Sequence, residues 1–211
     1  MGKPQETRNR IIRTAVELAK QKGPDTLSVK EICEGAHISK NTFYQYFTSK
    51  EEVFGSTYAT SDDDKMAALP EILLKFDSPL EQFWEFNKID IARQTSFGPK
   101  LLATIAMQNV LNDYFCIEEE ETLSPAIKVS LSLIQKMQKA KEIKNMADPF
   151  LLLRTMYDCA IGIDIRWTKT NGGFDLKREI YDQMMLVLQP SVEITNYDQV
   201  LKRIIDIQYF F

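Results

Sequence analysis

The stretch SKNTFYQYFTSKEEVF, residues 39–54, mixes aromatic and polar side chains in a way that neither a fully buried nor a fully solvated helix requires. Four of its first nine residues are aromatic, and Lys, Asn, Thr and Gln are interspersed with them. Phe43 and Phe47 are four residues apart, so they share one face of a helix and leave most polar side chains on the other. The pattern predicts a short helix that packs through its rings and presents a polar surface outward.

The residues just before this stretch supply a surface against which the two phenylalanines can pack. They form an apolar stripe with helical spacing, which consists of Val29, Ile32, Cys33 and Ala36. Two short helices joined by a tight turn, the second beginning at Ser39, make a helix-turn-helix. In that motif the N-terminal end of the second helix enters the major groove of DNA.

The outward residues of the second helix have side chains that suit the edges of bases. Asn41 and Gln45 can each form two hydrogen bonds with adenine, and Lys40 can donate to guanine. Tyrosine hydroxyl groups, and a lysine at the start of the next helix, suit phosphate contacts. The predicted DNA-binding residues are Ser28, Ser39, Lys40, Asn41, Thr42, Tyr44, Gln45, Tyr46 and Lys50.

Helix start and stop signals recur along the whole chain, and no stretch alternates as a strand would. Residues 28–31 and 49–52 fit the capping box, in which a serine and a glutamate satisfy each other's backbone amides. Prolines follow possible cap residues at Ser78–Pro79, Gly98–Pro99, Ser124–Pro125 and Asp148–Pro149. The chain is predicted to be all-α, with about nine or ten helices. Its short acidic runs, such as residues 62–64, are predicted to be solvated loops or helix ends.

The composition is that of a soluble globular protein, with 44% apolar and 27% charged residues. The polar N-terminus predicts no signal peptide, and no apolar run reaches the roughly 20 residues that span a bilayer. Three cysteines without a pairing pattern favour a reducing compartment, so we expect a cytoplasmic protein. Residues 1–60 hold 9 Lys and Arg against 7 Asp and Glu, and the rest holds 17 against 23. A mildly basic head therefore joins an acidic body.

Residues 26–54, TLSVKEICEGAHISKNTFYQYFTSKEEVF, resemble the DNA-binding signature of the TetR family of transcriptional regulators. The residues in register with the family's pattern are Ser28, Ile32, Ala36, Ser39, Thr42, Phe43, Tyr44, Tyr46, Phe47, Lys50, Glu51 and Val53. Cys33 departs from the family's small alanine, and His37 stands where the family usually has glycine in the turn. A left-handed conformation at His37 would cost about 1 kcal/mol, although histidine is among the residues found there. We expect lower local stability, unchanged function, and neither a catalytic nor a metal-binding role for this histidine.

The resemblance implies a three-helix DNA-binding domain over residues 1–55 and a larger helical regulatory domain over residues 56–211. It also implies two dimerisation helices over about 148–189. An amphipathic pattern predicts a further C-terminal helix over 195–211, which would pack on the dimer or bind a partner protein.

The family's regulatory domain implies a mostly apolar ligand pocket, and the body of this chain is rich in rings. The candidate ligand-binding residues are Phe83, Trp84, Asn87, Phe97, Met107 and Tyr114. Ordinary core packing is the alternative for each ring. The acidic body suggests a cationic aromatic effector, and no cofactor or metal site is expected.

The helix that begins at Pro149 has apolar residues on two faces, so it must be covered both by its own domain and by something else. Two such helices from each subunit would form a four-helix bundle across a two-fold axis. The predicted dimerisation residues are Met156, Cys159, Ile163, Trp167, Ile180, Met184 and Val187.

These observations predict a homodimeric repressor that a small-molecule effector releases from a palindromic operator in double-stranded DNA. The alternative is a regulator or interaction protein of the same fold that a protein partner controls, without a small-molecule pocket. An enzyme is not expected, because the sequence shows no nucleophile–base arrangement, paired carboxylates or metal spacing.

Overall fold

The computed structural model describes residues 3–112 and 122–191, and within them the chain is all-α, as predicted. In chain order the helices are α1 (Lys3–Lys22), α2 (Val29–Gly35), α3 (Lys40–Tyr46), α4 (Lys50–Gly55), α5 (Thr57–Lys75), α6 (Pro79–Asn112), α7 (Pro125–Lys139), α8 (Pro149–Lys169) and α9 (Leu176–Leu188). No helix in these ranges has the length and apolar character needed to cross a bilayer. The helix predicted over 195–211 lies outside the described residues.

Capping serines fix where the short N-terminal helices begin, as the sequence predicts. The Ser28 side chain accepts from the N–H of Glu31, and the Glu31 carboxylate accepts from the N–H of Ser28 at 2.9 Å. The first amides of a helix lack partners within the helix, so this capping box satisfies two of them. Ser49 caps α4 at 3.1 Å, but the carboxylate of Glu52 accepts from the N–H of Thr48 rather than that of Ser49.

The turn between α2 and α3 holds His37 in the left-handed region, with φ of 53°, the conformation considered for this position because the family usually has glycine there. The N–H of His37 donates to the carbonyl of Glu34 at 3.2 Å, and the N–H of Ile38 donates to that of Cys33 at 3.0 Å. These two bonds form the Schellman ending of a helix, whose left-handed position is usually glycine. The exposed imidazole leaves the turn intact, and the expected loss of local stability stays a prediction.

The two phenylalanines of α3 and its C-terminal cap close the core of the N-terminal helices. Phe43 and Phe47 are 0% and 1% exposed, and their ring centroids lie 5.9 Å apart. On the other side of this core, α1 and α2 cross so closely that a Cβ at Gly35 would lie 2.8 Å from Thr14 Cγ2. This packing fixes the orientation of α3, and therefore the direction of its polar face.

The central element of the body is α6, which contacts α1, α4, α5, α7, α8 and α9. Gly98 interrupts it with φ of 71°, and helical geometry resumes at Pro99. A helix beginning at Pro99 is what the Gly98–Pro99 pair predicts, because proline lacks the N–H that a first helical turn cannot use.

The acidic run at residues 62–64 lies inside α5 and is half-buried, so the prediction of a solvated loop or helix end is wrong. An arginine from each neighbouring helix binds Asp64. Arg13 of α1 lies 2.8 Å from one carboxylate oxygen, and Arg93 of α6 lies 3.2 Å from the other. The run therefore ties the N-terminal helices to the body. The predicted domain boundary at residue 55 falls between α4 and α5 and stays a prediction.

Candidate nucleic-acid interface and interior cavity

The outward face of α3 carries the three side chains predicted to contact bases. Lys40, Asn41 and Gln45 are exposed, while Phe43 on the opposite face is fully buried. Within the described part of the chain no hydrogen bond engages these three side chains, so they can bond with another molecule. The arrangement gives a short row of amide and ammonium groups on a rigidly packed helix.

The three hydroxyl residues at the helix starts are engaged in capping. Ser39 Oγ accepts from the N–H of Thr42 at 3.0 Å and lies 2.9 Å from the Thr42 hydroxyl oxygen. Ser28 holds the capping box of α2. These bonds position α2 and α3, and the predicted contacts of Ser28, Ser39 and Thr42 with DNA stay predictions.

The two tyrosines of α3 differ in exposure. Tyr44 is 57% exposed and its ring meets that of Phe43 edge-on, with centroids 5.4 Å apart. Tyr46 is half-buried against the core. Both rings are seated on the domain, as a tyrosine that offers its hydroxyl group to a phosphate requires.

Lys50 has a structural role that its position in the sequence does not reveal. Its ammonium donates to the carbonyls of Pro24, Asp25 and Leu27 at 3.1, 3.2 and 2.8 Å. An ammonium has three donors, so these carbonyls occupy all of them. Lys50 thereby ties α4 to the loop before α2, and a phosphate contact would require it to give up one of these bonds.

The body contains a cavity of about 60 Å³ between α5, α6, α7, α8 and α9. Its wall is formed by Ser61, Asp62, Phe83, Asn87, Asp90, Ile91, Gln94, Ile127, Leu153, Met156, Tyr157, Ala160, Ile161, Asp164, Ile180 and Met184. Phe83 and Asn87, two of the predicted ligand-binding residues, lie in this wall.

One end of the cavity is a buried polar cluster around Asp90. The carboxylate accepts from the hydroxyl of Ser61 and from the ammonium of Lys65, the latter at 2.6 Å. Lys65 is 1% exposed, and its ammonium also donates to Asn87 Oδ1 at 3.3 Å and lies 4.6 Å from the ring centroid of Phe86. The charge of Asp90 is therefore paired in place, as a buried charge requires.

Two further carboxyl groups of the wall are less well compensated. Burial raises the pKa of Asp62, against a hydrogen bond from Ser124 and the charge of Lys65 that lower it. Burial alone raises the pKa of Asp164 to about 7. Oδ1 of Asp164 has no hydrogen-bond partner within the described part of the chain.

Of the other predicted ligand-binding residues, Trp84, Phe97 and Met107 do not line this cavity, so they do not share a wall with Phe83 and Asn87. A ligand contact at these three residues stays a prediction. Trp84 is buried elsewhere, with its ring edge-on to that of Tyr181 at 4.7 Å. Phe97 lines a separate groove of about 590 Å³ between α1, α5 and α6, and Met107 is exposed. Tyr114 lies outside the described residues. Helical spacing shows that residues share a face, but it does not show which neighbour covers that face.

The predicted dimerisation residues are mostly interior to a single chain, so that prediction is wrong for five of them. Met156, Ile180 and Met184 line the cavity. Ile163 is buried, and so is Trp167, whose indole N–H donates to the carbonyl of Phe174 at 3.0 Å. The dominant apolar stripe of each helix faces its own body, because α8 and α9 are needed to close the core around α6. The remaining two, Cys159 and Val187, are half-buried.

A second, weaker apolar face of α8 and α9 points away from the body. Its large exposed side chains are Leu151 and Ile165 of α8 and Leu186 of α9, with the open Gly162 between the first two. Arg166 pairs with Glu179 across the two helices beside this face. The sequence carries a signal for it, since α8 has apolar residues on two sides, but spacing alone does not show which side is outward.

Residues 11–57 match the family described as bacterial regulatory proteins, tetR family. The regulator TcmR of Streptomyces glaucescens is 34% identical over 79 residues, which are 37% of this chain and 34% of that protein. The uncharacterised regulator YuxN of Bacillus subtilis (strain 168) is 42% identical over 69 residues, which are 33% of this chain and 24% of that protein. The alignment thus spans about a third or less of either relative.

Similarity of fold extends over most of the chain. The crystal structure of FadR from Thermus thermophilus, a TetR-family transcriptional repressor, superposes with a TM-score of 0.61 and 21% identity. The match covers 88% of this chain and 95% of that one, so the helical body and the N-terminal helices share its architecture. The N-terminal residues 11–57 therefore match the TetR family of bacterial regulatory proteins, and the chain as a whole has the fold of a TetR-family repressor.

Proposed function

We propose that the protein is a homodimeric, DNA-binding transcriptional repressor whose α3 reads base edges in the major groove of a palindromic operator. The observation that carries this proposal is the outward row of Lys40, Asn41 and Gln45 on a helix anchored by Phe43 and Phe47. Amide and ammonium side chains in that position match the hydrogen-bonding groups that bases present in the major groove. As a regulator of chromosomal DNA, the protein would act in the cytoplasm.

The proposed dimer forms through the outward face of α8 and α9 that contains Leu151, Ile165 and Leu186. Exposed leucine and isoleucine side chains, with Gly162 allowing close approach, suit a self-complementary interface across a two-fold axis. A two-fold axis would place two copies of α3 on successive half-sites, which a palindrome requires.

The proposed effector site is the cavity of the body. In its favour, the T. thermophilus FadR structure is in complex with lauroyl-CoA, so a protein of this fold binds a small molecule. The cavity here is about 60 Å³, below the roughly 300–1,000 Å³ of drug-sized sites. The effector would therefore be small, or its tail would displace side chains of the wall.

The acidic run of α5 offers a physical link between the cavity and the DNA-binding helices. Asp62 lines the cavity, whereas its two neighbours bind α1: Asp63 accepts from Asn9 Nδ2 at 2.9 Å, and Asp64 pairs with Arg13. A ligand that shifts α5 at Asp62 would move the contacts that hold α1. Binding would then favour a separation of the two heads that no longer fits the operator.

The small size of the cavity favours a second candidate function, namely the same DNA-binding protein controlled by a protein partner. In that case no small molecule would alter operator binding.

Selection of binding sites from random DNA tests the proposal. We expect the wild type to enrich a palindromic sequence, and Asn41→Ala to relax base preference at one position of each half-site. Gln135→Ala, an exposed change on α7, should leave the enriched sequence unchanged. Failure of the wild type to enrich any sequence would contradict the proposal.

A further inference from the structure

We propose that the cavity binds a small primary ammonium ion, whose charge pairs with the carboxylate of Asp164 and whose short alkyl stem lies against the apolar wall. This inference rests on the proposed function in one respect, since it names the chemical class of the effector for the same cavity.

Asp164 is a buried acid in the wall of this cavity, and one of its carboxyl oxygens lacks a donor. The residue is 4% exposed, and among the described residues no group donates to its Oδ1. Leaving a buried carboxyl oxygen without a donor costs free energy, so such a group in a folded protein calls for a partner. A ligand with several N–H donors and a positive charge supplies that partner directly.

The charge balance of the wall points in the same direction. Three carboxyl groups line the cavity, namely Asp62, Asp90 and Asp164, and the charge of Lys65 acts on the first two. Lys65 is bound to Asp90, which leaves Asp164 without an opposite charge. No set of three His, Cys, Asp or Glu side chains in the described chain could hold a metal ion, so an organic cation fits better than a metal.

The rest of the wall suits a short hydrocarbon stem. Phe83, Ile127, Met156, Ile180 and Met184 supply apolar surface from four different helices. At roughly 10–15 Å³ of cavity volume for each water molecule, a cavity of about 60 Å³ holds about four to six water-sized groups. Methionine side chains repack readily, and two of them line this wall, so they can yield space for a stem of a few carbons.

Proton competition at Asp164 gives the site a recognisable pH dependence. Burial raises the pKa of Asp164 to about 7, so at pH 6 about nine-tenths of this carboxyl would be protonated and unable to pair with an ammonium. The other titratable groups in the wall are Asp62 of α5, Asp90 of α6 and Tyr157 of α8, with Lys65 of α5 behind Asp90. The contributions of α7 and α9 to the wall are apolar.

The test is calorimetric titration of the full chain with n-butylamine and with 1-butanol, a neutral molecule of nearly the same size and shape. At pH 8 we expect the amine to bind at least tenfold more tightly than the alcohol, and its affinity to fall about tenfold at pH 6. Asp164→Asn should weaken amine binding at least tenfold and remove the pH dependence. Asp77→Asn removes the same charge from an exposed loop and should leave amine binding within twofold of the wild type.

Three results would overturn the inference: no binding of n-butylamine, equal affinity for 1-butanol, or undiminished amine binding by Asp164→Asn. The folding of Asp164→Asn is checked by its unfolding transition, so a loss of binding through misfolding is recognised. DNA selection is a separate measurement. A wild type that enriches a palindrome but ignores amines loses only this inference, whereas one that enriches no DNA loses the proposed function.

Discussion

The face of α3 and the cavity of the body place polar groups in opposite surroundings. On α3, Lys40, Asn41 and Gln45 are in solvent, and the helix beneath them is capped and packed. In the body, the carboxyl of Asp164 is enclosed with one oxygen unpaired among the described residues. Both arrangements leave bonding capacity for a partner, but only the buried one does so at a cost in stability. The face of α3 therefore exposes its polar groups without a cost in folding stability, whereas the buried carboxyl of Asp164 lowers it.

The largest expected effect comes from removing an anchor beneath the polar face. Phe47→Ala should lower the free energy of unfolding by about 3–5 kcal/mol, because it deletes a fully buried ring and leaves a cavity. Urea unfolding measures this difference. Tyr44→Ala is the matched control on the same helix, where the loss of an exposed ring should cost within about 1 kcal/mol. Equal losses would mean that the two faces of α3 are not distinct.

Replacing the buried acid Asp164 should stabilise the folded chain at high pH, whereas replacing Phe47 should destabilise it. The pKa of Asp164 is about 7 in the folded chain, against 3.8 for an ordinary aspartate. The folded state thus binds this proton more tightly, and the contribution of Asp164 to stability falls as the pH rises from about 4 to about 7. By pH 8 the loss amounts to a few kcal/mol, because each tenfold difference in proton affinity between the folded and unfolded states corresponds to about 1.4 kcal/mol.

Asp164→Asn should therefore be more stable than the wild type at pH 8, by about 2–4 kcal/mol, with a smaller difference at pH 5. Urea unfolding at the two pH values gives both numbers, and Asp77→Asn controls for the loss of one charge. A variant that is less stable than the wild type at pH 8 would show that Asp164 is well compensated in the fold.

The contacts that connect the N-terminal helices to the body should affect the free energy of unfolding less than Phe47 or Asp164 does. Asp64→Ala removes the carboxylate that binds Arg13 and Arg93, and should lower the free energy of unfolding by about 1–2 kcal/mol. Glu71→Ala on the same helix breaks an exposed pair with Lys75, and should cost about 0.5 kcal/mol or less. Equal effects of the two changes would remove the proposed link through α5.

The smallest change in folding stability is expected at the outward face of α8 and α9. Leu186 is 76% exposed, so Leu186→Arg should leave the protomer folded but put charges into the proposed dimer interface. Sedimentation should then show monomers. Leu74→Arg, at a leucine that is 87% exposed on α5, should remain dimeric. A dimeric Leu186→Arg would place the interface elsewhere.

The N-terminal helices can be predicted from sequence because their signals are local. Capping serines, a pair of rings four residues apart and a single left-handed turn each depend on residues within one or two helical turns. The left-handed state of His37 follows from its place in the turn. The hydrogen bonds of Lys50 cannot be predicted in this way, because the three carbonyls that it binds lie more than 20 residues earlier in the chain.

The body can be predicted as helices but not as a site. The sequence predicts Met156 and Met184 at the dimer face, whereas they line the cavity. It predicts Trp84 and Phe97 in the pocket, whereas one meets Tyr181 and the other lines the groove beside α1. Apolar spacing is the same for a core, a cavity wall and a subunit interface. Only the packing of α6 against its neighbours distinguishes these surroundings, and spacing along one helix carries no information about it.

The proposed function requires that the outward side chains of α3 read DNA sequence. The most direct test measures the affinity of the double variant Asn41→Ala, Gln45→Ala for the selected operator and for a scrambled duplex, beside the wild type and Gln135→Ala. Each lost base contact should cost about 1–3 kcal/mol, so the double variant should lose at least tenfold in its preference for the operator. Gln135→Ala should keep the full preference. A double variant that discriminates between the two duplexes as well as the wild type would contradict the account.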